Sequence, residues 1–360
     1  MEETFRRSIM DIKAMRDFSD DEMRVFEEAD AAAEELAMPE YEHYMNHEFD
    51  PEGPKVLAKH NLIGIPIKKA YGGLGMEPII STLVKERLGQ LGMGLSSFMN
   101  VQVFLCAQTI QRWGTEVQKK EHLPKNVKGD KVYAFGLTEP EAGSDPASLK
   151  TEYKKSGSGY IINGTKYLIS NGTIADYIIV FARSSENNQE ISAFITDAKA
   201  EGVSRTQLKE KIGLFTSDTG MLDFSDVEVP ESALLGSIGK GMNVAYSALL
   251  NARLGVAAGC VGVIEGSLNA SIKRARERIQ HGKEIGKHQL IQQHISAMRQ
   301  NLEMARWPVL KAVIEKEAYD KKPVFFCYWN SLRIEFVIHV VLVFRHYELL
   351  GCRVSLFQHL

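Results

Sequence analysis

One short segment combines most of the residue types that could hold a ligand. Residues 135–145, FGLTEPEAGSD, begin as an apolar strand and end in a turn rich in hydroxyl groups and glycine. Thr138 and Ser144 can donate hydrogen bonds, and Gly143 permits unusual backbone angles or the close approach of a ligand. The backbone N–H groups of such a turn can bind the electron-rich edge of a ring or a phosphate. A capped turn that joins two structural zones explains the same residues equally well.

Composition excludes several other kinds of chemistry. The chain has 360 residues, of which 43 are Lys or Arg and 46 are Asp or Glu, so its net charge is −3. This balance does not favour a nucleic-acid-binding protein, which would normally show a basic surface. The cysteines form no CxxC pair, so we expect neither a disulfide framework nor a metal site. They are Cys106, Cys260, Cys327 and Cys352.

The chain shows neither a secretory signal nor a long apolar run, and we expect a cytoplasmic protein. The N-terminal residues MEETFRRSIMDIK contain no apolar run of the kind found in a secretory signal. No stretch of about 18 apolar residues occurs, so we expect no membrane span.

The elements that must position residues 135–145 fall into distinct zones. Residues 1–130 predict an N-terminal helical domain, in which Ser19 can cap a helix that begins with acidic residues. Residues 131–235 contain short β-branched and aromatic runs, which predict a mostly antiparallel β-barrel as the middle domain. Asn-Gly dipeptides at 163–164 and 171–172 are expected to form hairpin turns. The predicted fold class is α+β.

Residues 236–322 predict an incomplete C-terminal helix bundle. Two apolar stripes at helical spacing each mark a long helix. Gly282 and Gly286 lie between them, and Pro308 is expected to kink or end the second helix. Two helices cannot bury both stripes alone, so further helices or a partner chain are needed. The stripes are Leu250, Leu254, Ala257, Val261, Ile264, Leu268 and Ile272, then Ile291, Ile295, Met298, Leu302, Ala305 and Val309.

The last 38 residues, 323–360, differ in composition from the rest of the chain. They hold eight of the 31 aromatic residues and contain no Ala, Lys, Asp, Thr or Met. A buried C-terminal helix or strand, an adhesive edge, and a frameshifted or read-through sequence would each explain this composition. We treat this segment as an aberrant apolar and aromatic tail.

Five segments, in order along the chain, resemble the acyl-CoA dehydrogenase family. Together the resemblance covers roughly residues 20–320, which makes it far more specific than any single motif. The segments are AYGGLGMEP (70–78), FGLTEPEAGSD (135–145), NGTKYLISNGTIADYIIVFARS (163–184), ALLNARLGVAAG (248–259) and ARERIQHGKEIGKHQLIQ (275–292).

The resemblance implies a fold, a cofactor and a reaction. The family fold is an N-terminal helical domain, a middle β-barrel and a C-terminal four-helix bundle, usually as a homotetramer that holds FAD. The family reaction is the α,β-desaturation of an acyl-CoA thioester in fatty acid β-oxidation. A carboxylate base removes the α-proton, the β-hydride moves to the flavin, and the electrons pass to an electron-transferring flavoprotein.

The resemblance also assigns candidate site residues. Thr138 would lie near the flavin pyrimidine edge, and Ser144 would bind the flavin phosphate side or the CoA moiety. Arg253 matches an arginine near bound CoA, although a surface ion pair would also explain it. Arg278 and Gln280 match residues that hold the FAD pyrophosphate and ribitol of another subunit, and arginine suits phosphate because its planar fork binds two oxygens. The complete cofactor set is Phe135, Leu137, Thr138, Ser144, Leu168, Ser170, Arg278, Gln280 and His281.

Two departures from the family pattern affect cofactor and substrate. Leu168 stands where the family often has an aromatic ring, and Tyr167 should face the opposite side of its strand. Residues 96–102 and 248–259 most resemble the glutaryl-CoA dehydrogenase branch, but Ser96 stands where that branch binds the distal carboxylate with arginine. A buried carboxylate without a partner is costly, so we expect a short-chain or branched acyl group instead.

The catalytic base is not evident. Its two usual family positions are a YEGT-like loop, which is not found after about residue 320, and the first bundle helix, where Ala252 precedes Arg253. Glu348 is a weak candidate within the aberrant tail. The chain is therefore expected to be an acyl-CoA dehydrogenase, or else a flavin- or acyl-CoA-binding relative that lacks the base, or an oxidase on the same scaffold.

Overall fold

The computed structural model describes residues 16–321, with side chains to residue 316. It divides into two compact units. The helical unit comprises the chain up to Tyr41, Glu77–Ser96 and the chain from Arg253 onward. The sheet unit comprises Glu42–Met76 and Ser97–Ala252. The tail 323–360 lies outside the described residues.

The N-terminal zone is helical, as its sequence predicts. Its helices are α1 (Asp20–Asn46), α2 (Gly53–Lys59), α3 (Pro78–Gly89), α4 (Met93–Met99), α5 (Gln108–Trp113) and α6 (Glu116–Val127). A π-helical segment, Asn100–Ala107, continues α4 into α5. Ser19 caps α1 as expected, because its Oγ accepts the Glu22 N–H at 3.3 Å and its own N–H donates to the Glu22 carboxylate at 2.9 Å.

The middle zone forms an eight-stranded mixed sheet. Its strands are β1 (Tyr133–Gly136), β2 (Glu152–Ser156), β3 (Gly159–Ser170), β4 (Tyr177–Ser184), β5 (Ile191–Asp197), β6 (Val203–Gln207), β7 (Thr219–Pro230) and β8 (Leu234–Leu235). The strand order is β6-β7-β3-β2-β4-β5-β8, and β1 pairs with β4. Most pairings are antiparallel, as expected, but β4 is parallel to both β1 and β2.

The central strand β4 is buried on both faces, because each face meets its own hydrophobic cluster. Ile179 and Phe181 point into a cluster that includes helical residues such as Ile110 and Val244. Ile178 and Val180 point into the other cluster, which β2, β3 and β7 supply. Alternate residues of one strand thus anchor two cores, which fixes its register.

The C-terminal zone contains the two long helices that the apolar stripes predict. They are α7 (Gly241–Glu277) and α8 (Gln289–Lys321), and a small hairpin of β9 (Ile279–Gln280) and β10 (Lys283–Glu284) separates them. Stripe residues of both helices share one core cluster, from Ala257 to Leu268 and from Met298 to Val309. Helix α3 approaches α7 closely in the helical unit, since a Cβ at Gly262 would collide with the Glu86 backbone.

Neither Asn-Gly dipeptide forms the expected hairpin turn, since β3 pairs with β2 and β7 and not with β4, which follows residues 171–172. Gly164 does not form a hairpin turn but lies inside β3 with φ +142°, packed against Thr151. The hairpin between β2 and β3 instead turns at residues 157–158, where Gly157 has φ +54°. Pro308 does not end α8, because buried Ala305 and Val309 hold the turns on either side in the core.

One helix bears on the expectation that no segment spans a membrane. By length and composition, α7 is the one helix among residues 16–321 that could cross a bilayer. However, 56% of its most apolar window is buried within the protein. Its contribution to the shared cluster with α8 identifies it as a core helix.

Candidate functional site

The end of β1 and the middle of β3 meet at an irregular point of the sheet. The pairing of β3 with β7 shifts register between Lys166 and Ile169. Within this bulge, Leu168 has φ +57°, a left-handed conformation that is uncommon for leucine. The Tyr167 N–H donates to the Thr138 carbonyl at 2.8 Å, so the bulge is joined to the segment that follows β1. The expected strict alternation of Tyr167 and Leu168 therefore does not hold here.

The surface around this bulge offers both polar and apolar groups. Leu168 is 57% exposed, which is unusual for a large apolar side chain in a sheet. Thr138 and Ser170 are half-buried, and within residues 16–321 neither hydroxyl forms a hydrogen bond. Two available hydroxyl groups beside an exposed apolar side chain match a planar ring with polar edges, so this donor set fits a flavin.

A buried ion pair lies directly behind the bulge. The Lys166 Nζ donates to the Glu139 Oε1 at 2.7 Å and to the Leu137 carbonyl at 3.3 Å. The Glu139 carboxylate also accepts the backbone N–H groups of Lys150 at 2.5 Å and Thr151 at 3.0 Å. Both charged side chains are almost fully buried, at 0% and 3% exposure.

Burial and ion pairing shift the pKa of each of these two groups in opposite directions. Burial lowers the pKa of Lys166 to about 8, and the Glu139 carboxylate limits that fall. Burial alone would raise the pKa of Glu139, but the Lys166 ammonium and the Lys150 N–H outweigh it and hold the pKa below its usual range. Both groups are therefore charged at neutral pH.

Phe135 and Leu137, assigned to the cofactor by resemblance, belong to the core of the sheet unit. They are 8% and 5% exposed, and the Phe135 ring packs 4.9 Å from that of Phe181. The turn that follows is open, since Gly143 and Ser144 are exposed and a Cβ at Gly143 would meet nothing within 4 Å. This glycine therefore leaves space for a ligand.

The end of β3 beyond Ser170 is tied to the start of β7. The Asp218 carboxylate accepts the Thr173 N–H at 2.8 Å and also binds the Thr173 hydroxyl. Asn171 donates from its backbone to the Asp218 carbonyl and from its side chain to the Tyr133 carbonyl. These contacts fix the segment that carries Ser170.

The helical unit holds the remaining candidates. Arg253 is exposed on α7, and Arg278, Gln280 and His281 are exposed on or beside the β9–β10 hairpin. The two loop residues, His281 and Gly282, have φ +50° and +72°, which is typical of a tight two-residue turn. Among the residues the structure describes, the Arg253 and Arg278 guanidinium groups form no ion pair, so both can meet a phosphate.

Ser96 lies in the packed interior of the helical unit. It is fully buried, and its Oγ faces Gly259 of α7. The Lys85 Nζ donates to the Ser96 carbonyl at 2.7 Å. Glu348 lies outside the described residues.

Sequence reasoning missed Glu139, Lys166 and Asp218 as residues that support the site. One signal was visible in the sequence, because Lys166 is a charged residue within an apolar β-strand segment. Such a residue is rarely buried without a partner. The partner itself lies 27 positions away.

A helical zone, a mixed sheet with a bulge that carries hydroxyl groups, and a pair of long helices define an α+β architecture. Sequence models of three domains match this chain: acyl-CoA dehydrogenase N-terminal domain at residues 19–130, middle domain at 134–227 and C-terminal domain at 239–325. The chain belongs to the acyl-CoA dehydrogenase family.

Individual relatives agree with this assignment. The short-chain-specific acyl-CoA dehydrogenase of Clostridium acetobutylicum is 35% identical over 272 residues, 75% of this chain and 72% of the relative. Butyryl-CoA dehydrogenase from Megasphaera elsdenii is 32% identical with a TM-score of 0.81, covering 91% of this chain and 84% of that one. A glutaryl-CoA dehydrogenase from Mycobacterium smegmatis in complex with FADH2 is 26% identical with a TM-score of 0.84, covering 95% and 87%.

These comparisons confirm the family, the fold class and the type of enzyme that the sequence resemblance implies. The chain is an oxidoreductase of the acyl-CoA dehydrogenase type. The flavoprotein prediction is confirmed as well, since proteins of this family bind FAD. The individual site residues stay predictions.

Proposed function

We propose that this chain is an FAD-dependent dehydrogenase that desaturates a short-chain or branched acyl-CoA between Cα and Cβ. Electrons would then pass to an electron-transferring flavoprotein. The observation that carries the proposal is the bulge of β3, where the available hydroxyls of Thr138 and Ser170 accompany the exposed Leu168. Family similarity across residues 19–325 supports the same assignment.

The proposed cofactor contacts divide between two groups of residues. When bound, FAD supplies the acceptor for the hydride that leaves the substrate β-carbon. Thr138 and Ser170 donate hydrogen bonds to the polar edge of the ring system, and Leu168 covers its apolar part. Phe135 and Leu137 support this surface from the core. The remaining proposed contacts, to phosphate, ribitol or CoA, are Ser144, Arg278, Gln280 and His281.

The proposed substrate is a thioester with an uncharged acyl chain. Arg253 is exposed and suits a phosphate of CoA. Ser96 supplies no positive charge for a distal carboxylate. The nearby Lys85 does not replace it, because its ammonium is buried and bonded to the Ser96 carbonyl, and burial lowers its pKa well below the usual range.

A second candidate function follows from the two family positions for the catalytic base. Ala252 occupies one of them, and residues 322–360 contain no YEGT-like sequence. Proton abstraction needs a positioned base close to the α-carbon. The alternative is therefore a relative that binds flavin and acyl-CoA without desaturating it.

The assembly and location belong to the proposal as well. Arg278, Gln280 and His281 lie on an exposed hairpin, which suits contact with the FAD of another subunit. We therefore propose a homotetramer, acting in the cytoplasm.

An anaerobic titration with butyryl-CoA tests the proposal. The purified full chain should be yellow, and its visible flavin band should bleach when butyryl-CoA is added, because desaturation reduces the flavin. Longer and branched thioesters serve as controls for chain length. A yellow protein that binds these thioesters without bleaching would support the impaired relative, and a colourless folded protein would contradict both. Oxygen consumption without another acceptor would indicate an oxidase.

A further inference from the structure

We propose that Glu139 and Lys166 form a positioning pair that holds Thr138 and the Leu168 bulge in the geometry needed to bind the flavin. This inference rests on the proposed function, since it assumes that the flavin occupies the surface beside Thr138. Each member of the pair directly adjoins a segment of that surface. Glu139 follows Thr138, and Lys166 precedes Tyr167 and Leu168.

The pair acts on the backbone on either side of Thr138. The Lys166 ammonium binds the Leu137 carbonyl at 3.3 Å, and that carbonyl shares one planar peptide group with the Thr138 N–H. The Tyr167 N–H binds the Thr138 carbonyl at 2.8 Å, which fixes the next peptide group. Both peptide groups that flank Thr138 are thus held by consecutive residues of β3, which orients its N–H and hydroxyl.

The carboxylate end of the pair is anchored just as firmly. Glu139 accepts the backbone N–H groups of Lys150 and Thr151 in addition to the Lys166 ammonium. Thr151 in turn packs against Gly164, where an added Cβ would lie 2.6 Å from its Oγ1. These contacts therefore join the turn after Thr138 to the start of β2 and to the middle of β3.

Stability alone is a weak explanation for this arrangement. Buried ion pairs often stabilise a fold no more than apolar residues of similar volume would. The Lys166 ammonium nevertheless donates to the Leu137 carbonyl within the proposed flavin segment, and Glu139 binds the backbone N–H groups of Lys150 and Thr151. Positional control of Thr138 and Leu168 accounts for these partners.

The double variant Glu139→Gln/Lys166→Met tests the proposal in the full chain. It removes both charges together, so neither is left buried alone, and the Gln carbonyl can still accept a backbone N–H. We expect a folded protein whose FAD dissociation constant rises about tenfold, the equivalent of one lost hydrogen bond. The midpoint potential of any retained flavin should shift, and its visible band should broaden.

Thr165→Val is the matched control. Thr165 neighbours Lys166 on β3, but its hydroxyl donates to Asp223 of β7 at 2.6 Å rather than toward Thr138. This variant should keep the parent affinity and potential, which separates positioning from general disturbance of β3. Lys166→Arg with Glu139 retained keeps a buried cation beside the carboxylate, so this variant should lose less FAD affinity than the double variant.

The outcomes distinguish this inference from the proposed function. If the parent holds FAD and the double variant holds it with the same affinity, spectrum and potential, the positioning role is refuted while the proposed function stands. The same refutation follows if Thr165→Val weakens FAD as much as the double variant. If the folded parent binds no FAD, both proposals fail.

Discussion

The sheet unit and the helical unit each bury a cluster of charged side chains, and the two clusters differ in balance. In the sheet unit, one carboxylate, Glu139, faces one ammonium, Lys166. In the helical unit, two carboxylates, Glu86 and Glu265, face one guanidinium, that of Arg306. The first cluster is neutral when fully charged, whereas the second carries one excess negative charge.

The ion-pair distances in the helical cluster are about as short as the distance between Lys166 and Glu139. The Arg306 Nη2 lies 2.5 Å from the Glu86 Oε1 and 2.9 Å from the Glu265 Oε2. Gln90 donates to Glu265 at 2.8 Å. Burial raises the pKa of Glu86 to about 7, and the Arg306 charge only partly offsets this effect. The helical cluster therefore gains a proton near neutral pH, while the sheet pair keeps both charges.

Buried charge therefore has two different roles in this chain. The neutral pair holds backbone groups beside the proposed flavin surface, and both of its members are charged at pH 7. The unbalanced cluster joins α3, α7 and α8, and its charge state follows pH. Altering each cluster separately should therefore give different signatures.

Removing one charge of the Glu139–Lys166 pair should have the largest effect on stability. Lys166→Met leaves the Glu139 carboxylate buried without its counter-ion, so the free energy of unfolding should fall by about 3–5 kcal/mol. Urea unfolding of the full chain measures this loss, and adding Glu139→Gln should recover most of it. As a control, Lys131→Met removes a partly exposed pair with Asp176 and should leave the unfolding midpoint unchanged. If Lys166→Met alone were as stable as the parent, the Glu139–Lys166 contact would not behave as a buried ion pair.

Glu86→Gln should weaken the dependence of stability on pH, which distinguishes the helical cluster from the sheet pair. A carboxyl whose pKa rises from 4.5 to about 7 on folding binds more protons in the folded state than in the unfolded state. Its contribution is complete below pH 4.5 and is lost as pH rises through 7, by up to about 3 kcal/mol. The parent should therefore unfold more easily at pH 8 than at pH 5, and the variant should show a smaller difference. Calorimetry across this range measures how stability changes with pH in the parent and in the variant. Equal changes in both proteins would contradict the excess negative charge of the helical cluster.

The fold was predictable where its signals were local. The stripes of α7 and α8 follow helical periodicity, and the Ser19 cap needs only its own first turn. Pro308 does not end α8, because the loss of one backbone hydrogen bond is local, whereas the burial of Ala305 and Val309 depends on packing against α7. Tertiary contacts of this kind do not appear in a single sequence.

For the site, the sequence resemblance supplies candidate residues, which stay predictions, but not their geometry. The resemblance identified Thr138, Leu168 and Ser170, yet the bulge that exposes Leu168 arises from β3 pairing with β7 while also binding the segment after β1. The link between Glu139 and Lys166 spans two strands and a turn. No periodicity connects these two positions, so only the folded chain reveals their contact.

The most direct test of the account is the flavin content of the Thr138→Val/Ser170→Ala variant beside that of the parent. Both substitutions remove a hydroxyl that no described residue uses, so the sheet unit should remain folded by circular dichroism. The parent should purify with stoichiometric FAD and the variant should lose most of it, as measured by the ratio of flavin to protein absorbance. A folded variant that retains its full FAD complement would contradict the placement of the flavin at this bulge.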